Sequence, residues 1–215
     1  EFAAEMCPDF SPESRGDASC VRYGHGQHRV VVWGDSHAIF FRSGVRPDPA
    51  LSVFVLSHSS CPPIIDVIRH GGRPIEARNC RRIDETRRYA EFIRSLRPDQ
   101  VFLMGRWPMY LRGRLRNDGQ IDPDHFLADD TAGAANAATS QHVFVAGMKK
   151  TIEFLAAFTS VAVVEQVPEL GVIGKDQRLF ASAVPRRLID AWHESEVVAF
   201  RRVEKATPFR IVRSG

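Results

Sequence analysis

Five short apolar runs alternate with long stretches of helical periodicity, and this alternation constrains the chain more than any other feature. Arg29 to Trp33 is rich in β-branched residues, shows no polar alternation and stops at Gly34. Such a run is the pattern of a strand buried on both faces, hence of parallel pairing. Leu51 to Leu56 has the same character, and Gln100 to Met104, Ser160 to Val164 and Phe209 to Val212 complete the set. Between them, Arg81 to Arg97 places Ile83, Tyr89, Ala90, Ile93 and Leu96 on one side, with Pro98 as a stop. Gln141 to Phe158 aligns Val145, Met148, Ile152 and Leu155, and Val184 to Ala206 aligns Leu188, Trp192, Ala199 and Val203. Strands alternating with helices predict an α/β protein, a three-layer α/β/α sandwich. We expect a parallel sheet of about five strands in the flavodoxin-like order 2-1-3-4-5. Residues 1–28, with Pro8, Pro12 and no periodicity, read as a loop-rich lead-in to a single domain over 29–215. The stretch 112–140 is a long excursion after the third strand, and loops beyond about 15 residues are often functional.

Composition removes several classes. With 44% hydrophobic and 26% charged residues in 215, the chain is neither disordered, collagenous nor a coiled coil. A chain of this size buries about 70% of its unfolded surface and needs no metal to fold. Phe154 to Val164 is the longest nearly apolar stretch; Thr159 and Ser160 break it, and it falls short of the roughly 20 residues of a helical span. A net charge of +3 is too mild to suggest a nucleic-acid partner. Cys7, Cys20, Cys61 and Cys80 form no Cys-x-x-Cys pair, so neither a zinc ribbon nor a thioredoxin-type site is expected, and no metal or cofactor is implied. They allow three disulfide pairings, of which the sequential one closes two local loops; four free thiols in a cytosolic protein is the alternative. No signal peptide is visible at Glu1, so the chain reads as processed or as part of something longer.

In open α/β sheets, chemistry sits at the carboxyl ends of the strands. Those ends read Gly34-Asp35-Ser36-His37, Ser57-His58-Ser59-Ser60-Cys61-Pro62-Pro63, Gly105-Arg106-Trp107 and Glu165-Gln166-Val167-Pro168-Glu169. A Ser entering a helix from a strand end has its hydroxyl beside free N–H donors, as an acyl-transfer nucleophile requires. The plainer reading of Ser36 is a helix cap. Asp35 is expected to order the turn by accepting backbone N–H bonds. His37 reads as a structural or substrate-side residue, and His58 as a polar loop residue at the end of the second strand. Arg78, Arg81, Arg82, Arg87 and Arg88 read as a solvated helix face.

Val30 to His37 resembles the first block of the SGNH (GDSL) hydrolases. Ser60-Cys61-Pro62-Pro63, then Cys80, a helix and Phe102 to Trp107, is similar to the extracytoplasmic SGNH module of membrane O-acyltransferases of the acyltransferase family 3 type. Val167-Pro168-Glu169 also fits, and the resemblance covers roughly residues 7 to 212. It implies Ser36 as the nucleophile, disulfides Cys7–Cys20 and Cys61–Cys80, and a periplasmic or other extracytoplasmic location tethered to a membrane domain. It further implies O-acyl transfer, above all O-acetyl transfer, from an acyl donor to a glycan acceptor, without a cofactor. A carbohydrate esterase and a non-catalytic glycan-binding or docking module are the alternatives.

The chain departs from the family pattern twice. SGNH enzymes take their base from an Asp-x-x-His after the last strand, whereas no His follows His193 here. The expectation is therefore a chain lacking its base and weakly active as it stands. Gly105-Arg106-Trp107 occupies the place of the family's Gly-x-Asn oxyanion block, so donors there would be backbone N–H groups or Arg106. Two other Asp-x-x-His strings occur. Asp190 to His193 lies within a predicted helix. Asp122 and His125 lie in the excursion, which looks solvent-facing, and form the alternative base pair; general-base catalysis needs His125 within about 2.6–3.2 Å of Ser36 Oγ.

Overall fold

The computed structural model describes residues 4–8, 10, 18–70, 80–115, 119–122, 125–131, 136–166, 186–207 and 209–212. Strands β1 (Ala4–Met6), β2 (Ser19–Tyr23) and β3 (His28–Gly34) lead into helix α1 (Ser36–Phe41) and strands β4 (Leu51–Ser57) and β5 (Ile68–Arg69). Helix α2 (Glu85–Leu96), β6 (Gln100–Met104), α3 (Trp107–Arg112), β7 (Arg114–Leu115), β8 (Ile121–Asp122) and β9 (Leu127–Ala128) follow. The chain continues through α4 (Ala137–Ala156), β10 (Ser160–Val164), α5 (Arg186–Ala206) and β11 (Arg210–Val212).

The main sheet has the order β1-β2-β4-β3-β6-β10-β11. Its last five members are parallel throughout, in the expected order 2-1-3-4-5. The register aligns Gly34 with both Ser57 and Met104, so three strands end level. Successive side chains of a strand point to opposite faces. Val31, Trp33, Phe54, Leu56, Val101 and Leu103 join the core built with α2, α4 and α5. Val32, Val53 and Val55 meet Ala38 of α1 on the other face. Helices thus cover both faces, which is why these strands are apolar without alternation.

The lead-in differs from expectation. Residues 4–6 and 19–23 add two antiparallel strands to the edge of β4. Cys7 N–H donates to Cys20 O, and a Cys7–Cys20 disulfide joins the two segments. A second disulfide, Cys61–Cys80, has its Cα atoms 5.2 Å apart. Its closed loop is 19 residues in sequence separation, so reducing it or replacing both cysteines by Ser is expected to lower stability by about 3 kcal/mol, read by urea melts with and without reductant.

Helix α4 starts before the expected Gln141, because Asn136 caps it by accepting the N–H groups of Ala138 and Thr139. The excursion is therefore partly helix, and the rest contains two ribbons, β7–β8 and the β9 half of β5–β9. Helix α2 ends at Arg97, in the left-handed region at φ 48°, just before Pro98. Val167-Pro168-Glu169, Arg78 and the side chains of Leu188 and Trp192 lie outside the described residues. Among the described residues no helix is long and apolar enough to cross a membrane.

Candidate active site

β3 approaches β6 backbone to backbone at its carboxyl end. A Cβ on Gly34 would lie 2.0 Å from Met104 O, so only glycine fits. Asp35 follows in extended geometry as the N-cap of α1, and Ser36 is the first helical residue. Ser36 therefore stands at the carboxyl edge of the parallel sheet, partly buried. Helix α1 has only six residues, little more than one turn and a weak dipole. The positioning of Ser36 rests instead on Asp35.

Asp35 is 1% exposed and ties the turn to the neighbouring strand. Its N–H donates to Met104 O at 3.3 Å. Oδ1 accepts the His37 backbone N–H at 2.8 Å and faces His37 Nδ1 at 3.2 Å. Oδ2 accepts the Arg106 N–H and the Tyr110 hydroxyl, each at 2.8 Å. Burial pushes the carboxyl pKa up, but His37 and the N–H groups of Arg106 and His37 outweigh it, and the net shift is downward. Asp35 is thus a buried anion. Tyr110 is pushed well above its ordinary value by burial and by the charge and hydrogen bond of Asp35, so it stays a neutral donor.

Gly105-Arg106-Trp107 adjoins this turn, yet two of its donors are already committed. The Arg106 N–H belongs to Asp35. Trp107 is fully buried, donates Nε1–H to Val164 O at 2.8 Å and meets Phe144 and Phe200 edge-on. The sequence groups Trp107 with Gly105 and Arg106 as an oxyanion or substrate-binding residue; in the structure it begins α3, with Pro108 in the first turn, and its indole turns into the core. Gly105 is buried, and the Arg106 side chain is partly buried, with Nη1 3.9 Å from Met109 Sδ.

His58 is not a loop residue open to solvent. It is 2% exposed, and its N–H donates to Gly34 O at 3.1 Å. Its Nδ1 lies 3.3 Å from Glu85 Oε1 and 3.3 Å from the Tyr89 hydroxyl, which itself donates to Glu85 at 3.1 Å. Since Gly34 pairs with Ser57, this buried cluster begins one strand away from Asp35. Glu85, Tyr89 and Tyr110 carry no sequence signal as site partners; helical periodicity does not distinguish a Glu turned inward in a first turn.

The alternative base pair is split between two ribbons. Asp122 sits in β8, opposite Arg114. His125 has φ 70°, donates its N–H to His70 O and is 2% exposed, not solvent-facing as expected. In the other string, His193 Nδ1 faces Glu196 at 3.9 Å. Glu196 accepts the Gln166 N–H at 2.8 Å, and burial raises its pKa despite His193. Of the helix-face arginines, Arg82 and Arg88 pair with Asp84 and Arg87 pairs with Asp66.

Two cavities open on the α2–α5 side. One of about 340 Å³ is lined by Leu111, Arg112, Ala137, Gln141, Glu194 and Ser195, among others. One of about 310 Å³ includes Asp66, Asp84, Arg87, Asp129, Asp130 and Lys150. Neither is lined by Asp35, Ser36 or His37.

Two solved structures are similar in part. A candidate arylesterase from Agrobacterium tumefaciens str. C58 aligns with a TM-score of 0.44 and 13% identity, over 87% of this chain and 83% of that one. The periplasmic domain of a lipopolysaccharide acetyltransferase from Salmonella ser. Paratyphi A aligns with a TM-score of 0.42 and 12% identity, over 87% of this chain and 66% of that one. No curated protein sequence matches the chain. A family model described as "SGNH domain (fused to AT3 domains)" matches residues 6–212. That span takes in every strand of the parallel sheet and the whole Gly34-to-His37 turn, and the chain belongs to the SGNH domain family of the type fused to AT3 domains.

Proposed function

We propose that this chain moves an acyl group through Ser36, with O-acetyl transfer to a glycan hydroxyl outside the cytoplasm as its task. One observation carries the reading: a serine at a parallel-strand end, on a turn whose carboxylate is held from four directions by His37, Arg106 and Tyr110. Such pre-organisation is what covalent catalysis asks of a nucleophile's surroundings. Ser36 Oγ attacks the carbonyl carbon of an acyl donor and keeps the acyl group as an ester. An acceptor hydroxyl then takes it. The Arg106 guanidinium is the oxyanion donor of this reading. Asp122 and His125 gain no support from the burial of His125. Two disulfides favour an oxidising compartment, and the family's fusion to AT3 domains favours a membrane-tethered parent protein.

Hydrolysis of p-nitrophenyl acetate tests the first step. We expect release of p-nitrophenolate, and acetyl ester on a glycan added as acceptor. Acetate released to water without glycan ester would make the chain an esterase. No release at all would leave a glycan-binding or docking module.

A further inference from the structure

We propose that Arg42 binds a carboxylate of the acceptor, so that the glycan acylated through Ser36 is an acidic one, built with uronic-acid-type sugars. The inference rests on the Ser36 reading above and names the class of its acceptor.

Arg42 opens a short 3-10 turn, Arg42–Gly44, directly after α1. Its backbone N–H donates to Ile39 O and Phe40 O, which fixes where its side chain starts. Helical side chains lean toward the helix N-terminus, and Arg42 reaches back to the carboxyl edge of the sheet. There Nη2 donates to Ser19 Oγ at 2.7 Å and to Ser57 Oγ at 3.2 Å. The register places Ser57 opposite both Ser19 and Gly34, so the guanidinium stands level with the end of β3. Adjacent strands are about 4.8 Å apart and Ser36 is two residues past Gly34, which puts the guanidinium on the order of 10 Å from Ser36. One or two sugar rings span that distance. The β6 side of the turn is taken by Arg106 and Tyr110, which hold Asp35. The β4 and β2 side carries Arg42.

The surroundings of Arg42 differ from those of the other helix-borne arginines. Arg82, Arg87 and Arg88 direct their donors to Asp84 and Asp66. Arg42 meets two neutral hydroxyls, and among the described residues no carboxylate pairs with it. Its Nε–H is buried without an acceptor, and Nη1, which is not buried, has none among the described residues either. A guanidinium drawn partly out of water without an anion is unfavourable. A carboxylate at Nη1 offsets that with charge-assisted bonds, and the planar fork suits a planar acceptor. The two serines add a donor. Ser19 Oγ and Ser57 Oγ are 3.1 Å apart, Ser57 is fully buried and Ser19 is partly exposed. With Ser57 donating in that pair, the Ser19 hydrogen is left for the ligand.

The test measures binding to the full chain by calorimetry and follows the Arg42 Nε–H resonance, assigned by its loss in Arg42→Lys. The probes are digalacturonate, its neutral dimethyl ester, inorganic phosphate and coenzyme A. Digalacturonate is expected to bind about 10–100-fold more tightly than its ester and to shift the Nε–H resonance. Arg42→Met should remove that preference and Arg42→Lys should restore part of it. A purely structural Arg42 would not distinguish acid from ester. Equal binding of acid and ester, with no Nε–H shift, overturns the proposal. So does a preference that persists in Arg42→Met with an unchanged thermal melt. A shift from coenzyme A or phosphate alone overturns it too, by moving the anion to a phosphate of the acyl donor. If Arg42→Met does not fold, the acid-to-ester ratio and the Nε–H shift of the parent chain decide. Failure of p-nitrophenyl acetate to acetylate Ser36 sinks the nucleophile reading and leaves the binding result standing.

Discussion

Ser36→Ala is expected to remove ester hydrolysis and the acetyl adduct together, with a rate loss of about 10⁴-fold or more, and to leave the fold untouched. The two halves of that expectation have different physical sources. Loss of a covalent nucleophile removes the first step, and residual rate then comes only from binding and oxyanion stabilisation. The fold survives because the helix cap is Asp35, whose side chain accepts the His37 N–H. Ser36 occupies the first helical position, where Ala is a good helix former. Stability should stay within about 0.5 kcal/mol of the parent. Stopped-flow release of p-nitrophenolate, intact mass and a urea melt on the same sample check both parts. A variant that keeps the adduct would move the nucleophile elsewhere.

Asp35→Ala is expected to cost about 3–5 kcal/mol and to abolish activity with it. The side chain is the shared acceptor of the Arg106 N–H, the Tyr110 hydroxyl and two groups of His37. Its removal leaves those donors facing an apolar void, and unmet buried partners dominate such losses. Asp35→Asn separates charge from shape, since its amide nitrogen turns a donor toward donors. The pH dependence has a definite sign. The folded pKa lies below the ordinary carboxylate value. The contribution is therefore complete above the unfolded pKa of about 3.9 and is lost as pH falls through the lower folded value. Parent and Asp35→Asn should differ most near neutral pH and draw together in urea melts as the pH falls below the ordinary carboxylate range. A constant difference across that range would show that the contribution of Asp35 is not its charge.

The parallel sheet was legible because β3, β4 and β10 are buried on two faces, and burial on two faces writes apolar runs without alternation. The antiparallel strands β1 and β2 carry no such signature. Ser19 to Tyr23 mixes Ser, Cys, Val, Arg and Tyr, and its pairing to β4 is a tertiary event supported by the Cys7–Cys20 crosslink. The start of α4 was hidden for a related reason: an Asn between alanines reads as loop until its side chain is seen to cap. At the site, the position of Ser36 followed from the end of a strand. The orientation of Trp107 did not, because distance past a strand end says nothing of the rotation that a following Pro-initiated turn imposes. Tyr110, Glu85 and Tyr89 enter from α3 and α2, and Tyr110 stands 75 residues from Asp35 in sequence. Only folding brings such partners together.

The contact between Gly34 and the Met104 carbonyl has a consequence for the substitutions this chain can survive. Interior positions of β3 such as Val31 and Val32 meet side chains, which can rearrange around a volume-conserving swap. Gly34 meets a carbonyl of the next strand, which cannot yield without parting β3 from β6. Tolerance along the strand should therefore end in a step, not a slope. A saturation library selected only for soluble expression would admit many apolar residues at 31 and 32 and glycine alone at 34. The invariance of that glycine would be imposed by the sheet, two residues before the nucleophile, in active and inactive members alike.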